Sequence, residues 1–392
     1  QGVRVHVIDA EHMPLRLPVS DLIIDAAFGT GFRGDWSPPA TKGVPVLAVD
    51  IPSGIDGLTG LAAPDTWQAT RTVTFVALKP GLLLGAGRAL CGEVELVDIG
   101  INLGMGNVDI NEVERSDVSQ WVPQRPFDSH KWKAAMYAVA GSSGMMGAAN
   151  LCSASAMRAG AGIVHVASPG IVSDRSTSTE IVRRALPALG WSHEVLDDLS
   201  RFKAIVIGPG LGRDEGTVSE ARRIIAGAHI PMVIDGDGLF AVAWGGEGAR
   251  DIVRSRAAGT VLTPHDGEYT TLLGYAPSHD RITSARRLAS DTNCVCLLKG
   301  TTTVVAEPSG EVLMVANGDQ RLATAGTGDV LAGIIGALLA QGVEPFHAAA
   351  SGAWIHGYAA SLFTANEGLI ASDLVDLIPL ALSHMRHVGV RD

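Results

Sequence analysis

Short apolar runs separated by loops rich in glycine and acid recur along the whole chain. The first are Val3 to Ile8, Leu22 to Ala26 (LIIDA) and Val44 to Val49 (VPVLAV), followed by Thr72 to Ala77 and Val94 to Asp98. Runs that are apolar on both faces predict strands of a parallel sheet covered by helices, since a half-exposed sheet would alternate. From Asn107 to His130 charge and proline rise and the periodicity is lost, which predicts a linker. The pattern restarts with Tyr137 to Ala140 as a strand, the loop GSSGMMG, a helix from Ala148 to Arg158 and a strand from Gly162 to Ala167. Strand, glycine loop and helix then repeat at AIVIGPGLG (Ala204 to Gly212), PMVIDGDGL (Pro231 to Leu239), TVLTPHDGE (Thr260 to Glu268) and CVCLLKGTT (Cys294 to Thr302). The expected fold class is α/β with two domains, residues 1–115 and 130–392, joined by a linker at 116–129. The longest apolar stretch, VLAGIIGALLA (Val330 to Ala340), is about half of what a bilayer crossing needs and carries two glycines, so it predicts a buried helix.

Composition narrows the function. Lys and Arg number 30 against 41 Asp and Glu, a net charge of −11, which argues against a phosphate-backbone binder. An apolar fraction of 46% with 18% charged residues excludes a disordered chain. The 47 glycines point to many tight turns or close approaches of backbone to ligand. Cys91, Cys152, Cys294 and Cys296 form no CxxC pair, so a reducing, cytoplasmic compartment is expected. The opening residues QGVRVHVIDAEH lack the apolar core of a signal peptide and read as a strand already under way inside a domain.

The sharpest local signal is ATAGTGDVLAGI (Ala323 to Ile334). Gly326 and Gly328 let backbone amides turn inward, Thr327 offers a hydroxyl, and Asp329 stands at the start of an apolar helix. Amides at a helix N-terminus bind anions, and the macrodipole adds a favourable field. An ordinary glycine turn capped by Asp is the competing reading. The other glycine loops each follow a strand, so in a parallel sheet they gather along one edge, where open α/β sheets bind ligands. Lys299, after such a strand, is placed to neutralise phosphate; alone it would read as a solvated charge. His265 is either a substrate hydrogen-bonding group or a loop His satisfied by backbone. Glu268 reads as a first-turn acid, and Asp235 and Asp237 as strand-end acids or turn caps. In the first domain DAAFGTGFRGD (Asp25 to Asp35) and VDIPSGIDGLTG (Val49 to Gly60) are further glycine loops. Their Asp25, Asp50 and Ser53 supply oxygens suited to a hard cation or a ribose-like ligand, or serve turns alone.

Taken in order, these motifs resemble the bifunctional repair enzymes for hydrated nicotinamide nucleotides. In that family an NAD(P)HX epimerase domain precedes an ADP- or ATP-dependent NAD(P)HX dehydratase of ribokinase-like fold. DAAFGTGFRG, VDIPSGIDGLTG, KPG (Lys79 to Gly81) and VDIGI (Val97 to Ile101) are similar to the epimerase part. HK at 130–131, AGSSGMMGAA, RAGAGIVHV, GPGLG, TPHDGE, LKGTTTV and ATAGTGDVLAGI are similar to the dehydratase part. The resemblance implies a Rossmann-like epimerase domain, incomplete because the family's first phosphate loop is missing upstream, and a complete three-layer α/β/α dehydratase domain. It further implies Asp329 as catalytic acid/base, with Gly326, Thr327 and Gly328 as the anion hole. Lys299, Gly300, Thr301, Thr302, Thr303 and Gly328 would contact ADP, and Ala148, Gly210, Gly212, His265 and Asp329 the hydrated nucleotide. In the epimerase part Gly29, Thr30, Gly31, Phe32, Arg33, Gly34, Asp35 and Asp50 would bind NAD(P)HX, and Asp25 and Ser53 a potassium ion. ADP or ATP would be the phosphoryl donor, with magnesium. Expected partners are these small molecules and a second copy of the chain, with no nucleic acid and no membrane. Departures from the family pattern are Asp266 in place of Pro, HKW in place of HKG, and Gly236 and Gly238 where Ala is common. The competing function is a ribokinase-like kinase for a vitamin precursor or sugar, and a third is a nucleotide sensor without turnover.

Overall fold

The computed structural model describes residues 16–102, 104, 108–171, 180–243 and 247–386. The expected strand Val3 to Ile8 lies outside them. The chain divides into two compact units, residues 1–107 and 108–392.

In the first unit β1 (Ile23–Asp25), β2 (Val46–Val49), β3 (Arg71–Phe75) and β4 (Glu93–Val97) form a parallel sheet in chain order. Val46 and Ala48 are buried with Thr72 and Thr74, while Ile51, Ile55, Leu82 and Cys91 make a small core beneath the loops that follow the strands. Asp25 ends β1 and Asp50 follows β2, so both acids stand at the carboxyl edge of the sheet.

The second unit is built on ten strands: β5 (Ile110–Glu112), β6 (Ala135–Val139), β7 (Ile163–Pro169), β8 (Val182–Leu186), β9 (Ala204–Ile207), β10 (Met232–Ile234), β11 (Thr260–Leu262), β12 (Val295–Leu298), β13 (Thr303–Ala306) and β14 (Val312–Val315). Their order is β5-β14-β13-β12-β11-β10-β9-β6-β7-β8. All neighbours from β12 to β8 are parallel; β13 runs antiparallel to both of its neighbours, and β5 is parallel to β14. Strands β6, β9, β10, β11, β12 and β14 are buried at every position, as strands covered on both faces must be. The result is the expected three-layer α/β/α arrangement.

The run at 330–340 is the buried helix it was expected to be, within Thr327–Ala340. It packs on the helix Met146–Arg158, and its glycines are there for close approach. A Cβ at Gly333 would lie 2.1 Å from the carbonyl oxygen of Cys152, and one at Gly336 2.3 Å from Val206 Cγ2. Among the described residues no helix is long and apolar enough to cross a membrane.

The division between the units falls earlier than the expected boundary at 115, and the expected linker at 116–129 belongs to the second unit. Residues 110–112 form strand β5, and Arg115–Trp121 is a helix with a reciprocal Glu114–Asp117 capping box. Val113, Val118 and Val122 are buried in the main core. Three apolar residues among charged and proline-rich neighbours are too few to show a period, but enough to anchor an edge strand and two helical turns.

Candidate active site

Strands β9, β10, β11 and β12 are neighbours, so the residues just beyond them stand side by side at one edge. Asp235 follows β10, Thr263 and His265 follow β11, and Lys299 follows β12. Asp235 is 4% exposed and is held by the Thr263 hydroxyl, which donates to Oδ1 at 2.7 Å. The Lys299 ammonium lies 3.1 Å from the same oxygen and 3.4 Å from Glu268 Oε2. Burial alone would pull the Lys299 pKa down, but the two carboxylates outweigh it and raise it, so this ammonium keeps its proton. Arg281 fixes the turn from outside, donating to the Lys299 carbonyl at 2.7 Å while pairing with Asp266 at 2.9 Å.

The helix Thr327–Ala340 begins opposite this lysine. Gly326 is its N-cap with φ +92°, a left-handed conformation that glycine adopts at no steric cost. The first helical backbone bond runs from Val330 N–H to Gly326 C=O, so the amides of Gly328 and Asp329 precede the ladder and remain as donors. A Cβ at Gly328 would be 3.6 Å from Lys299 Nζ, which sets the ammonium against this helix end. Thr327 differs from its expected place in the anion hole. It is buried, its hydroxyl donates to the carbonyls of Leu322 at 2.8 Å and Thr324 at 2.9 Å, and its amide bonds to Thr324. Its side chain therefore shapes the turn and has no free hydroxyl to offer.

Asp329 shares this cluster. Burial first, then the negative charge of Asp235, with smaller pushes from Asp237 and Glu268, raise its pKa to about 7 against the opposing pull of Lys299. A carboxyl poised there takes up or gives up a proton near neutral pH, as an acid/base group must. The expected glycines also assemble. Gly210 has φ +58°, and a Cβ on it would lie 2.9 Å from that of Ala148 and 2.8 Å from the Met145 carbonyl. The Gly212 amide donates to Asp237 Oδ2 at 2.8 Å. His265 caps the helix Asp266–Leu273: its Nδ1 accepts from the amides of Gly267 and Glu268, which leaves the proton of the neutral ring on Nε2. Lys299 to Thr303 is the turn into the β12–β13 hairpin; Thr302 is buried, Thr301 is exposed, and Thr303 opens β13.

One group was read only in part from the sequence, and another went unread. Glu268, taken for a first-turn acid, is also a partner of Lys299. His356, inside the helix Pro345–Ser361, is 7% exposed, hydrogen-bonds the Thr327 backbone and has no partner for Nε2. Burial and, to a smaller degree, Lys299 lower its pKa to about 4 despite the Thr327 contact, so it stays neutral beside the helix end. A His in an apolar helix carries no sequence signal of such a place. Among the described residues no three His, Cys, Asp or Glu side chains gather to hold a metal ion.

In the first unit Asp25 is 2% exposed and accepts from the Ser53 amide at 2.8 Å and the Ser53 hydroxyl at 2.5 Å. Asp50 pairs with Lys79, and its Oδ2 lies 3.4 Å from where a Cβ on Gly29 would sit. Arg33 pairs with Asp56 at 3.1 Å, and Phe28 packs against Phe32 and Trp36. The glycine loop, Asp50 and the Asp25–Ser53 pair thus meet at one edge of this sheet.

The model of the NAD(P)H-hydrate dehydratase family matches residues 136–380, and that of the YjeF-related protein N-terminus matches residues 2–81. The bifunctional NAD(P)H-hydrate repair enzyme of Moorella thermoacetica is 36% identical, over 95% of this chain and 74% of that protein. Its counterpart in Mycobacterium leprae is 38% identical over 94% and 75%. Among solved structures, an ADP/ATP-dependent NAD(P)H-hydrate dehydratase from Bacillus subtilis, co-crystallised with ATP and Mg2+, is 27% identical. It covers 71% of this chain and 99% of its own, with a TM-score of 0.59.

Proposed function

The chain belongs to the NAD(P)H-hydrate dehydratase family, in its bifunctional form with an epimerase-related N-terminal part, and from that premise we propose how its own residues carry out the repair. The substrate is the 6-hydroxylated nicotinamide ring of NAD(P)HX. Hydroxide is a poor leaving group, so the C6 hydroxyl is first phosphorylated by ADP or ATP. Asp329 takes the hydroxyl proton as the oxygen attacks the terminal phosphorus in line. The Gly328 and Asp329 amides, the helix dipole and the Lys299 ammonium face the charge that gathers on the migrating phosphoryl. Phosphate then leaves C6 with its bonding pair, driven by the ring nitrogen lone pair, and loss of a C5 proton restores NAD(P)H. The Ala148, Gly210 and Gly212 surface and the His265 Nε2–H border the hydrated nucleotide, and the turn from Lys299 to Thr303 borders the adenine nucleotide. Magnesium arrives with the nucleotide phosphates, as part of that substrate. The carboxylates of Asp235, Glu268 and Asp329 give this site the hard oxygen donors that such an ion takes.

In the first unit Asp50 and the loop from Gly29 to Asp35 take NAD(P)HX for interconversion of its R and S forms. Asp25 and Ser53 provide oxygen ligands of a kind suited to potassium. Four unpaired, buried cysteines support a reducing, cytoplasmic setting.

The observation that carries the dehydratase reading is the placement of Asp329 in the first turn of a helix whose N-terminal end faces Lys299, itself paired with Asp235 and Glu268. The test is an absorbance assay on (6S)-hydrated NADH with and without ADP. Return of the reduced-nicotinamide band together with free phosphate is the expected result. Asp329→Asn should slow it by about 10²- to 10⁴-fold, the usual worth of a general base. A stable phosphorylated product would instead mark an ordinary small-molecule kinase and overturn the assignment.

A further inference from the structure

The Lys79 ammonium is enclosed by three acceptors: the Asp50 carboxylate through Oδ1, the Thr74 hydroxyl at 2.8 Å and the Phe75 carbonyl at 2.9 Å. Its side chain is 17% exposed and that of Asp50 23%. The backbone around this pair is strained at two points. Asp50 has φ +71° and Val76 has φ +69°, the latter a β-branched residue for which that region is a true outlier. The Ala77 amide closes back on the Phe75 carbonyl at 2.7 Å around Val76, so this one oxygen receives both the turn and the lysine. Strain of this kind persists where surrounding contacts over-determine a conformation, and it clusters at functional sites. Here it brings Phe75 and Asp50 to a common point occupied by the ammonium.

One oxygen of Asp50 is thereby committed. The other, Oδ2, lies beside Gly29 in the glycine loop, 3.4 Å from where a Cβ there would sit, on a side chain that is partly exposed. We infer that Lys79 is a positioning residue of the epimerase site: it holds Asp50 Oδ1 so that Oδ2 alone is offered, beside Gly29, to a hydrogen-bond donor of the hydrated nicotinamide nucleotide. The inference rests on the reading of Asp50 as a substrate-binding group. It gives the KPG motif a task of its own, separate from opening the short helix Pro80–Leu83.

The experiment is a double-mutant cycle on the full chain. R-configured hydrated NADH is supplied, its conversion to the S form is followed against the spontaneous rate, and the chain's own ADP-dependent activity on S substrate serves as an internal control. Lys79→Met should lower kcat/KM for epimerisation by about 10- to 100-fold, the range for losing a hydrogen bond to a charged group, and leave the dehydratase rate at the parental value. Asp50→Asn should lower it at least as far, and the double variant should be no slower than Asp50→Asn alone, because the lysine acts through that carboxylate. Losses that multiply, or a Lys79→Met variant as fast as the parent, overturn the proposal. Should Lys79→Met destabilise its unit, aminoethylation of Lys79→Cys decides: recovery of the rate by tenfold or more supports positioning by the ammonium, and no recovery counts against it. A parent chain that converts R substrate no faster than buffer removes the epimerase reading itself, and the inference with it. Parental epimerisation left untouched by the lysine variants removes the inference alone.

Discussion

Asp329 is a half-buried carboxyl whose charged neighbours are mostly carboxylates, and its pH behaviour follows from them. With the pKa raised to about 7, the base form appears only as pH climbs through neutrality, so kcat/KM should rise across that limb. Asp235→Asn removes the largest charge that raises it and should move the limb to lower pH; a pH–rate profile that stays in place would assign the limb to another group. The linkage for folding has the opposite sense. Between its ordinary value of 3.8 and about 7, native Asp329 keeps a proton that the unfolded chain has lost, so folding weakens as pH rises through that window. Asp329→Asn should therefore melt a few degrees higher than the parent at pH 8 while losing activity, in a thermal scan run beside the assay. Gly328→Val introduces branches where even a Cβ would sit 3.6 Å from Lys299 Nζ, and should raise the ADP dissociation constant about tenfold or more by calorimetry. Asp329 and Lys299 were legible in the sequence because each follows a glycine turn or an apolar strand. The partners of Lys299 were not. Asp235 follows β10 and the lysine follows β12, and only the strand order brings them together across β11.

Apolar runs located most strands of the parallel part to within a few residues, because strands buried on both faces leave an unmistakable pattern. They did not reveal β8, whose VRRAL sequence is mostly exposed at the sheet edge, or β5, whose three residues show no period. The β13–β14 hairpin was hidden for another reason: its strands are apolar, but no helix separates them, so they do not repeat the strand–loop–helix rhythm. The two glycines of the run Val330 to Ala340 counted in the sequence only against a bilayer crossing, whereas in the buried helix they are contact points. Gly333→Ala would press a methyl group onto the Cys152 carbonyl, and should cost about 1–3 kcal/mol through overpacking. In a domain this large, that is a fall of roughly 2–4 °C in melting temperature per kcal/mol. An unchanged melting point would mean that the two helices separate without penalty.

Two compact units share this chain, and the second draws its first strand and helix from residues whose composition suggests a linker. A fragment of residues 108–392 should therefore keep ADP-dependent activity and a cooperative melt. A fragment that starts at 130 loses Val113, Val118 and Val122 from the core and bares β14, and should express poorly or melt lower. Equal melting of the two fragments would show that the edge strand contributes nothing. The pairing of β5 with β14 also sets an order of events during synthesis. Residues 110–112 leave the ribosome about two hundred residues ahead of 312–314, the segment they join. At translation speeds of roughly 5–20 residues per second, that interval is about ten to forty seconds. Throughout it the early segment has no mate, so the sheet is sealed at this border only after the whole intervening run of strands and helices has been made.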